Sequence, residues 1–338
     1  MAEEEAKEFI KILEDSADYQ FGFNHSIEYC IVGYYCAYLR YYYPIEFITA
    51  LLNNAANDSD IANGTDLAGR YGIKITNPKW GVSRSEYFFN KDENTIAKGL
   101  ASMKYRGAAV ADELYELSTR KTYDSFVDLL YDINKETTLG SRQLSNLIKI
   151  DYFSMFGNQR ELLRIVDFME RFKFGEAKKI KCDEVNGTQI EAIVRNFSTC
   201  QNKNGSPAKS YTLLDVMAIL REIEKMILDI HMDDLGDIVK VKNFEEIMGF
   251  AGYVSGNSSD RRKLYIKEVF PLKNRTTGEQ FGYSIITKSI GSGKEARFTV
   301  RNSVFKKSPV KKGDIIYCED YYKNGIYFTM TKFHKILT

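Results

Sequence analysis

Several short stretches of this 338-residue chain carry side chains whose types and spacing could do chemistry. Asp58-Ser59-Asp60 is a D-x-D pair, a spacing that can hold two magnesium ions for phosphoryl transfer. It lies among Asn, Ala and Ser with no predicted strand to fix the carboxylates, so it reads as solvated loop. Asp233-Asp234 reads as a helix-end pair. Gly291-Ser292-Gly293-Lys294 has the look of a phosphate loop. It lacks the GxxxxGK[ST] spacing and falls between predicted strands, which makes it a hairpin turn. His25, His231 and His334 are far apart, and the five cysteines contain no CxxC. Without an N-terminal secretory signal, reduced cytoplasmic thiols are expected, and no zinc site. No carboxylate or histidine cluster suggests an independent nuclease, so no catalytic or metal-ligating residue is assigned.

The binding motifs are more informative. Ile96 to Val110, IAKGLASMKYRGAAV, has the form of a helix-hairpin-helix turn. In that motif a tight, glycine-bearing turn exposes amides at the second helix's N-terminus, which hold a phosphate without reading bases. Lys104, Arg106 and Gly107 are the candidate contacts; an ordinary helical hairpin is the alternative. RFTVR alternates, with Phe298 and Val300 on one face and Arg297, Thr299 and Arg301 on the other. Arg297, Arg301, Lys306, Lys307, Lys311 and Lys312 could follow a nucleic-acid backbone, and Tyr283, Phe305 or Tyr322 could stack on bases. Alternatively those aromatics fill a core and the lysines solvate it. Net charge is +1, yet residues 261–338 hold 17 Lys/Arg against 6 Asp/Glu, a net of +11, leaving −10 on the first 260. Such asymmetry suits a basic module meeting a polyanion, or two domains attracting each other.

The elements that must position these residues follow from periodicity. Residues 4–20 read as an acidic helix. GFNHSIEYCIVGYYCAYLRYYYP follows, with seven tyrosines from Tyr29 to Tyr43 and only Glu28 and Arg40 charged. Ser26 is its expected cap and Pro44 its stop. Its apolar residues lie on every side, so the helix is expected to be buried, and Arg40 argues against a membrane span. Pro44 then opens a second helix. NNAANDSDIANGTD reads as a polar loop, GIKIT as a strand, and SEYFFNKDENTIAKGL as a hairpin. Helices continue from Leu100 to about residue 181, with Ser125, Ser141 and Asn158 as caps. Residues 182–210 read as the linker and LLDVMAILREIEKMILDI as a connecting helix. After about residue 247 the period becomes two, with Asn324-Gly325 a strong hairpin signal. About five strands there predict a small closed barrel, which leaves no exposed edge.

In order and wording these pieces resemble the bacterial DNA polymerase III alpha subunit, a C-family replicative polymerase. That family's fingers segment reads GFNKSHS, then spaced tyrosines, then YPxEF. Gly22-Phe23-Asn24, His25-Ser26, Tyr29, Leu39, Arg40 and Tyr43 through Phe47 are similar to it. Gly72-Ile73-Lys74-Ile75 with Pro78, then Gly99-Leu100, Lys104 and Gly107, resemble the family's next strand and hairpin. Ser141-Arg142, Leu144, Leu147-Ile148, Phe153 and Phe156-Gly157 match a later stretch. Glu246, Gly249-Phe250 and Ser255-Gly256 resemble the segment before its OB barrel. Two residues of the family's GFNKSHS are missing, including its lysine. Tyr105 stands where the hairpin's first glycine belongs, and tyrosine resists the left-handed geometry that glycine permits. The family's palm, with its catalytic aspartates and magnesium, precedes the fingers, and the sequence is expected to begin after it and to stop before the clamp-loader-binding tail.

The resemblance and the residues together imply an α+β multidomain protein. Its expected parts are the end of a fingers-like region (1–95), a helix-hairpin-helix-like domain (96–181), a polar linker with a connecting helix (182–246) and a five-stranded OB-like barrel (247–338). The expected role is DNA binding without catalysis: duplex phosphates at the helical region, single-stranded template at the barrel. Asn24, His25, Ser26 and Arg40 form the expected fingers edge. Partners would be primed-template DNA, single-stranded DNA and other replisome proteins, with no cofactor and no membrane. The alternative is a polymerase-derived module that binds a replisome protein.

Overall fold

The computed structural model describes residues 2–16, 22–100, 108–201, 207–248, 253–255, 261–325 and 327–336. The chain divides into two compact units, one of residues 1–75 and 89–96, the other of 76–88 and 97–338.

In the first unit, α1 (Ala2–Ser16) and α2 (Phe23–Tyr42) precede a hairpin of α3 (Pro44–Asn53) and α4 (Asp58–Arg70). Pro44 acts as expected: α2 ends just before it and it occupies the first turn of α3. There its missing N–H costs nothing. Ser26 is not the cap, because α2 starts three residues earlier behind Gly22. The Ser26 hydroxyl instead reaches back to the Gly22 carbonyl at 3.4 Å. The expected loop at 53–66 is mostly helix. Asn57 caps α4 by accepting the Asp60 amide at 3.0 Å, and the Asp60 carboxylate accepts the Ala56 amide at 3.2 Å. Asp58-Ser59-Asp60 is therefore a helix start. Gly64 lets α3 approach: a Cβ there would lie 2.7 Å from Leu52 Cδ2. Three short strands, β1 (Lys74–Thr76), β2 (Phe88–Asn90) and β3 (Thr95–Ala97), form a sheet in the order β1-β3-β2.

The largest departure from expectation is α2. Its apolar side chains from Ile31 to Tyr43 are exposed, from 43% at Tyr38 to 74% at Tyr41. An apolar residue on every side of a helix reports that the helix needs an apolar environment. It does not report that its own chain supplies one.

The second unit has a helical part and a barrel. α5 (Ala108–Arg120), α6 (Phe126–Glu136), α7 (Ser141–Lys149), α8 (Gln159–Arg171) and α10 (Val216–Asp229) carry the main core. Phe126, Tyr152 and Phe153 sit fully buried at its centre with Trp80 packed against them. Ser125 and Asn158 cap α6 and α8 as expected, whereas Gly140, not Ser141, precedes α7. Glu224 on α10 is buried and turned onto the start of α6. It accepts from Phe126 N at 2.6 Å and Ser125 Oγ at 2.5 Å, a carboxylate at the positive end of a helix.

Residues 182–210 are not an open linker. They contain α9 (Glu191–Asn196), β5 (Ser198–Gln201) and most of β6 (Pro207–Leu213), which pair with β4 (Lys179–Lys181) in the order β4-β6-β5. Val185, Ile190, Val194 and Tyr211 are buried in the helical core. The stretch is polar by composition, but these few apolar residues hold it down. Cys182 and Cys200 bring their sulfurs to 3.2 Å as free thiols, and burial is the first cause lifting Cys182 to about 11.

A helix absent from the sequence reading, α11 (Asp237–Met248), precedes the barrel. It is pinned by buried Lys240, which bonds Asp234 and lies 3.5 Å from Asp151. Asp234 also accepts the Gln159 amide at 3.1 Å, so of the Asp233-Asp234 pair Asp234 is part of a structural knot and Asp233 is exposed. The barrel is closed, in the order β10-β11-β9-β8-β7, from β7 (Lys263–Lys273), β8 (Gln280–Ser289), β9 (Glu295–Arg301), β10 (Ile315–Asn324) and β11 (Tyr327–Lys335). Short α12 (Asn302–Phe305) leaves β9. Both predicted turns are present. Gly325 at φ 61° turns β10 into β11, and Gly293 at φ 70° turns β8 into β9 with its amide on the Ser289 carbonyl at 2.8 Å.

Candidate nucleic-acid interface

The hairpin candidate is fixed at both ends. At its entry the backbone of Gly99 crosses that of Ser85 so closely that a Cβ would lie 2.3 Å from the Ser85 carbonyl oxygen. Only glycine fits there. Leu100 donates its amide to the Arg84 carbonyl at 2.9 Å and is fully buried. At the exit, Val110, Ala111 and Leu114 anchor the first turns of α5 in the core. Arg84 itself is engaged, with its guanidinium 3.7 Å from the Phe88 ring centre and bonded to Tyr115 at 3.0 Å. Lys104, Tyr105, Arg106 and Gly107 lie outside the described residues. Next to the entry, half-buried Lys98 has its ammonium lowered to about 7, first by burial and then by repulsion from Lys288. Burial lowers Lys288 as well.

On the barrel, strand register sorts the remaining candidates. Phe270 of β7 pairs with Ser284 of β8, Ser284 with Thr299 of β9, and Thr299 with Thr329 of β11. This row lies on the outer face. Arg297 and Arg301 stand on either side of Thr299 on that face, and both are exposed. Arg297 donates through Nε to Ser284 Oγ at 2.8 Å, which braces it along β8. Arg301 forms no ion pair among the described residues. The alternation of RFTVR is as expected, since Phe298 and Val300 are buried in the barrel core.

Tyr283 does not join this face. It pairs with Val300, turns inward and stacks on Phe305 of α12, ring centres 3.7 Å apart. Phe305 is buried, so both rings cap one end of the barrel. Lys306 and Lys307 follow directly after α12 and are exposed at that end. Tyr322 is exposed on β10. Of the fingers-edge residues, His25, Ser26 and Arg40 are exposed on α2 and Asn24 lies in its first turn. The structure thus gathers Arg297 and Arg301 on one face, places Lys306 and Lys307 at a barrel end, and assigns Tyr283 to packing.

Phe270 is the aromatic that sequence reasoning missed. It is exposed on the arginine face, where a base could stack. A bulge between Ile266 and Glu268 inserts one residue into β7. Strict alternation from buried Leu264 and Ile266 would place Phe270 inside; the extra residue sends Val269 inward and Phe270 out. No described group of three or more His, Cys, Asp or Glu could hold a metal ion. No described helix is long and apolar enough to cross a membrane.

Residues 72–163 match the model of a family described as a helix-hairpin-helix motif. The chain is similar to DNA polymerase III subunit alpha of several bacteria. It is 31% identical to that of Thermus aquaticus over 172 residues, which cover 50% of this chain and 14% of the relative. For Aquifex aeolicus the figures are 29% over 223 residues, 63% and 18%. For Campylobacter jejuni they are 28% over an alignment of 387 residues, 90% and 32%. The matched stretches span about a third or less of these relatives.

Proposed function

We propose that this relative of the bacterial DNA polymerase III alpha subunit is the DNA-binding portion of a C-family replicative polymerase. In this reading the helix-hairpin-helix region holds duplex DNA through its phosphates, and the barrel holds the single-stranded template. The observation that carries it is the outer barrel face, where Arg297 and Arg301 flank a row that begins at exposed Phe270. Cations that follow a backbone, with an aromatic beside them, are what single-strand binding requires. The similarity over 90% of the chain and the helix-hairpin-helix match support the same reading. The net charge of +11 on residues 261–338 supplies the long-range attraction. The cytoplasm is the corresponding compartment.

This is a binding function; the purified chain alone is expected not to incorporate nucleotides. The experiment is titration of primed-template and single-stranded DNA at several salt concentrations. Log affinity should fall steeply with log salt, by about 0.7 to 0.9 per phosphate contacted. No binding at low salt would defeat the proposal. A second reading, a polymerase-derived module that binds a replisome protein, draws support from the exposed apolar helix α2.

A further inference from the structure

We infer that Cys182 and Cys200 form a thiol-modification site, at which a small disulfide installs a reversible Cys182–Cys200 bond that staples the segment between them to the β4-β6-β5 sheet. The two residues reach each other from different parts of that sheet. Cys182 directly follows β4, where the chain turns off the strand, and Cys200 lies in β5. The central strand β6 stands between β4 and β5, and its Ala208 carbonyl oxygen lies 3.4 Å from each sulfur. The sulfurs are closer to each other, at 3.2 Å, than either is to that oxygen. The register of β5 on β6 breaks at Cys200: Thr199 faces Thr212, whereas Gln201 faces Pro207. Such an irregularity re-aims a side chain and loosens its strand from the ladder. Neither cysteine is held in a regular ladder, so both backbones can adjust. A disulfide holds its sulfurs at about 2 Å, and closure needs about 1 Å of approach. Both cysteines are half-buried, which leaves them open to a small reagent. The other thiols form no comparable pair. Cys30 and Cys36 stand about 9 Å apart along α2, beyond disulfide reach, and Cys318 is buried in the barrel core.

The step is thiol–disulfide exchange. One cysteine, as its thiolate, attacks a sulfur of the small disulfide. A mixed protein–reagent bond forms, the reagent's own sulfur–sulfur bond breaks, and one small thiol leaves. The second cysteine gives up its proton, attacks the protein sulfur of the mixed bond and expels the second small thiol. Two protein thiols are oxidised and one small disulfide is reduced. The two protons end on the two small thiols released. Because the sulfurs already stand 3.2 Å apart, the second attack is intramolecular and outruns any reagent in solution. Excess small thiol drives the same steps backwards. Burial lifts Cys182 to about 11, so it keeps its proton at neutral pH; the pair rests reduced and reacts over minutes to hours. The segment from 182 to 200 puts Val185, Ile190 and Val194 into the helical core. Closing it into a loop restricts the unfolded chain, so the bond stabilises the fold.

The test incubates the whole chain with oxidised glutathione at mildly alkaline pH. Cys30→Ser and Cys36→Ser remove the exposed thiols of α2 beforehand. Free thiols are then blocked with iodoacetamide, and the protein is digested without reductant and mapped by mass spectrometry. Peptides joined through Cys182 and Cys200 should dominate, with little glutathione retained. Adding Cys182→Ser should instead trap glutathione on Cys200, because the second attack has lost its sulfur. The oxidised protein should melt about 3 °C or more above the reduced one, and dithiothreitol should restore the lower Tm. The inference is overturned by stable glutathione adducts on both cysteines, by two unmodified thiols after overnight exposure, or by a Tm that does not rise on oxidation. The map of the protein with both cysteines in place decides the matter even if the Cys182→Ser variant fails to fold.

Discussion

Aromatic residues serve opposite ends in α2 and in the helical core of the second unit. Phe126, Tyr152 and Phe153 are enclosed by α6, α8 and their neighbours, with ring centres near 5 Å: 5.3 Å for Phe126–Phe153 and 4.8 Å for Tyr152–Phe153. The tyrosines of α2 make similar ring contacts with one another, yet they face solvent. Apolar composition alone does not separate the two cases. The helices of the core are amphipathic and bring partners with them: α10 packs on α6 and α8, and Glu224 ties α10 to the first turn of α6. α2 has no polar face to mark which side should meet its own chain. A helix apolar all round is a statement about an environment, and that environment can belong to another polypeptide.

The comparison predicts its own largest effect. Phe126→Ala should destabilise the protein by about 3–5 kcal/mol through a cavity at the centre of the core. Tyr38→Ala on α2 should change stability by less than about 0.5 kcal/mol. Chemical denaturation of the two variants checks this, and comparable losses would mean that α2 is packed after all. Next in size, Glu224→Ala leaves the first amides of α6 buried without an acceptor, a loss of about 2–3 kcal/mol. Glu224→Gln should recover part of it, because one amide oxygen can still accept.

The barrel face sharpens the contrast, because its side chains act on binding and not on folding. Arg297→Ala and Arg301→Ala should each lower single-stranded DNA affinity by about three- to tenfold at low salt, with the salt slope reduced by about 1. Their Tm values should hardly move. Phe270→Ala should weaken binding by about 1–3 kcal/mol if a base stacks on it.

A separate effect concerns pH. Lys98 titrates at about 7 in the fold against an ordinary 10.5. Between these values the unfolded chain holds a proton that the folded one has released, so stability rises with pH. The penalty of burying its charge is fully present below about 7 and is relieved toward 10.5. Lys98→Met should raise Tm near neutral pH and flatten the rise of Tm between pH 7 and 9.5, read by scanning calorimetry.

Much of this architecture was legible in the sequence because local signals agreed with the final fold. Pro44, Ser125, Asn158, Asn324-Gly325 and the alternation of RFTVR each dictate a backbone geometry that tertiary packing did not overturn. The failures have physical causes. At 182–210 a few buried apolar residues outweigh a polar composition. At 58–70 a cap at Asn57 and the approach of α3 at Gly64 make a helix from turn-forming residues. Phe270 was hidden by one bulged residue, and Tyr283 is absorbed by its stack with Phe305; neither is visible from strand periodicity. The exposure of α2 could not be read from pattern at all, since burial depends on what surrounds the helix.

The central claim is that the outer barrel face binds single-stranded DNA and that α2 takes no part in that binding. The most direct measurement is fluorescence anisotropy of labelled single-stranded DNA with three proteins side by side: the parent, Arg297→Ala/Arg301→Ala, and Tyr34→Lys/Tyr38→Lys. The account predicts affinity lost by about tenfold or more in the arginine double variant, with affinity kept or slightly raised in the tyrosine variant by its added charge. An arginine variant that binds as the parent does, or a parent that fails to bind at low salt, would contradict it.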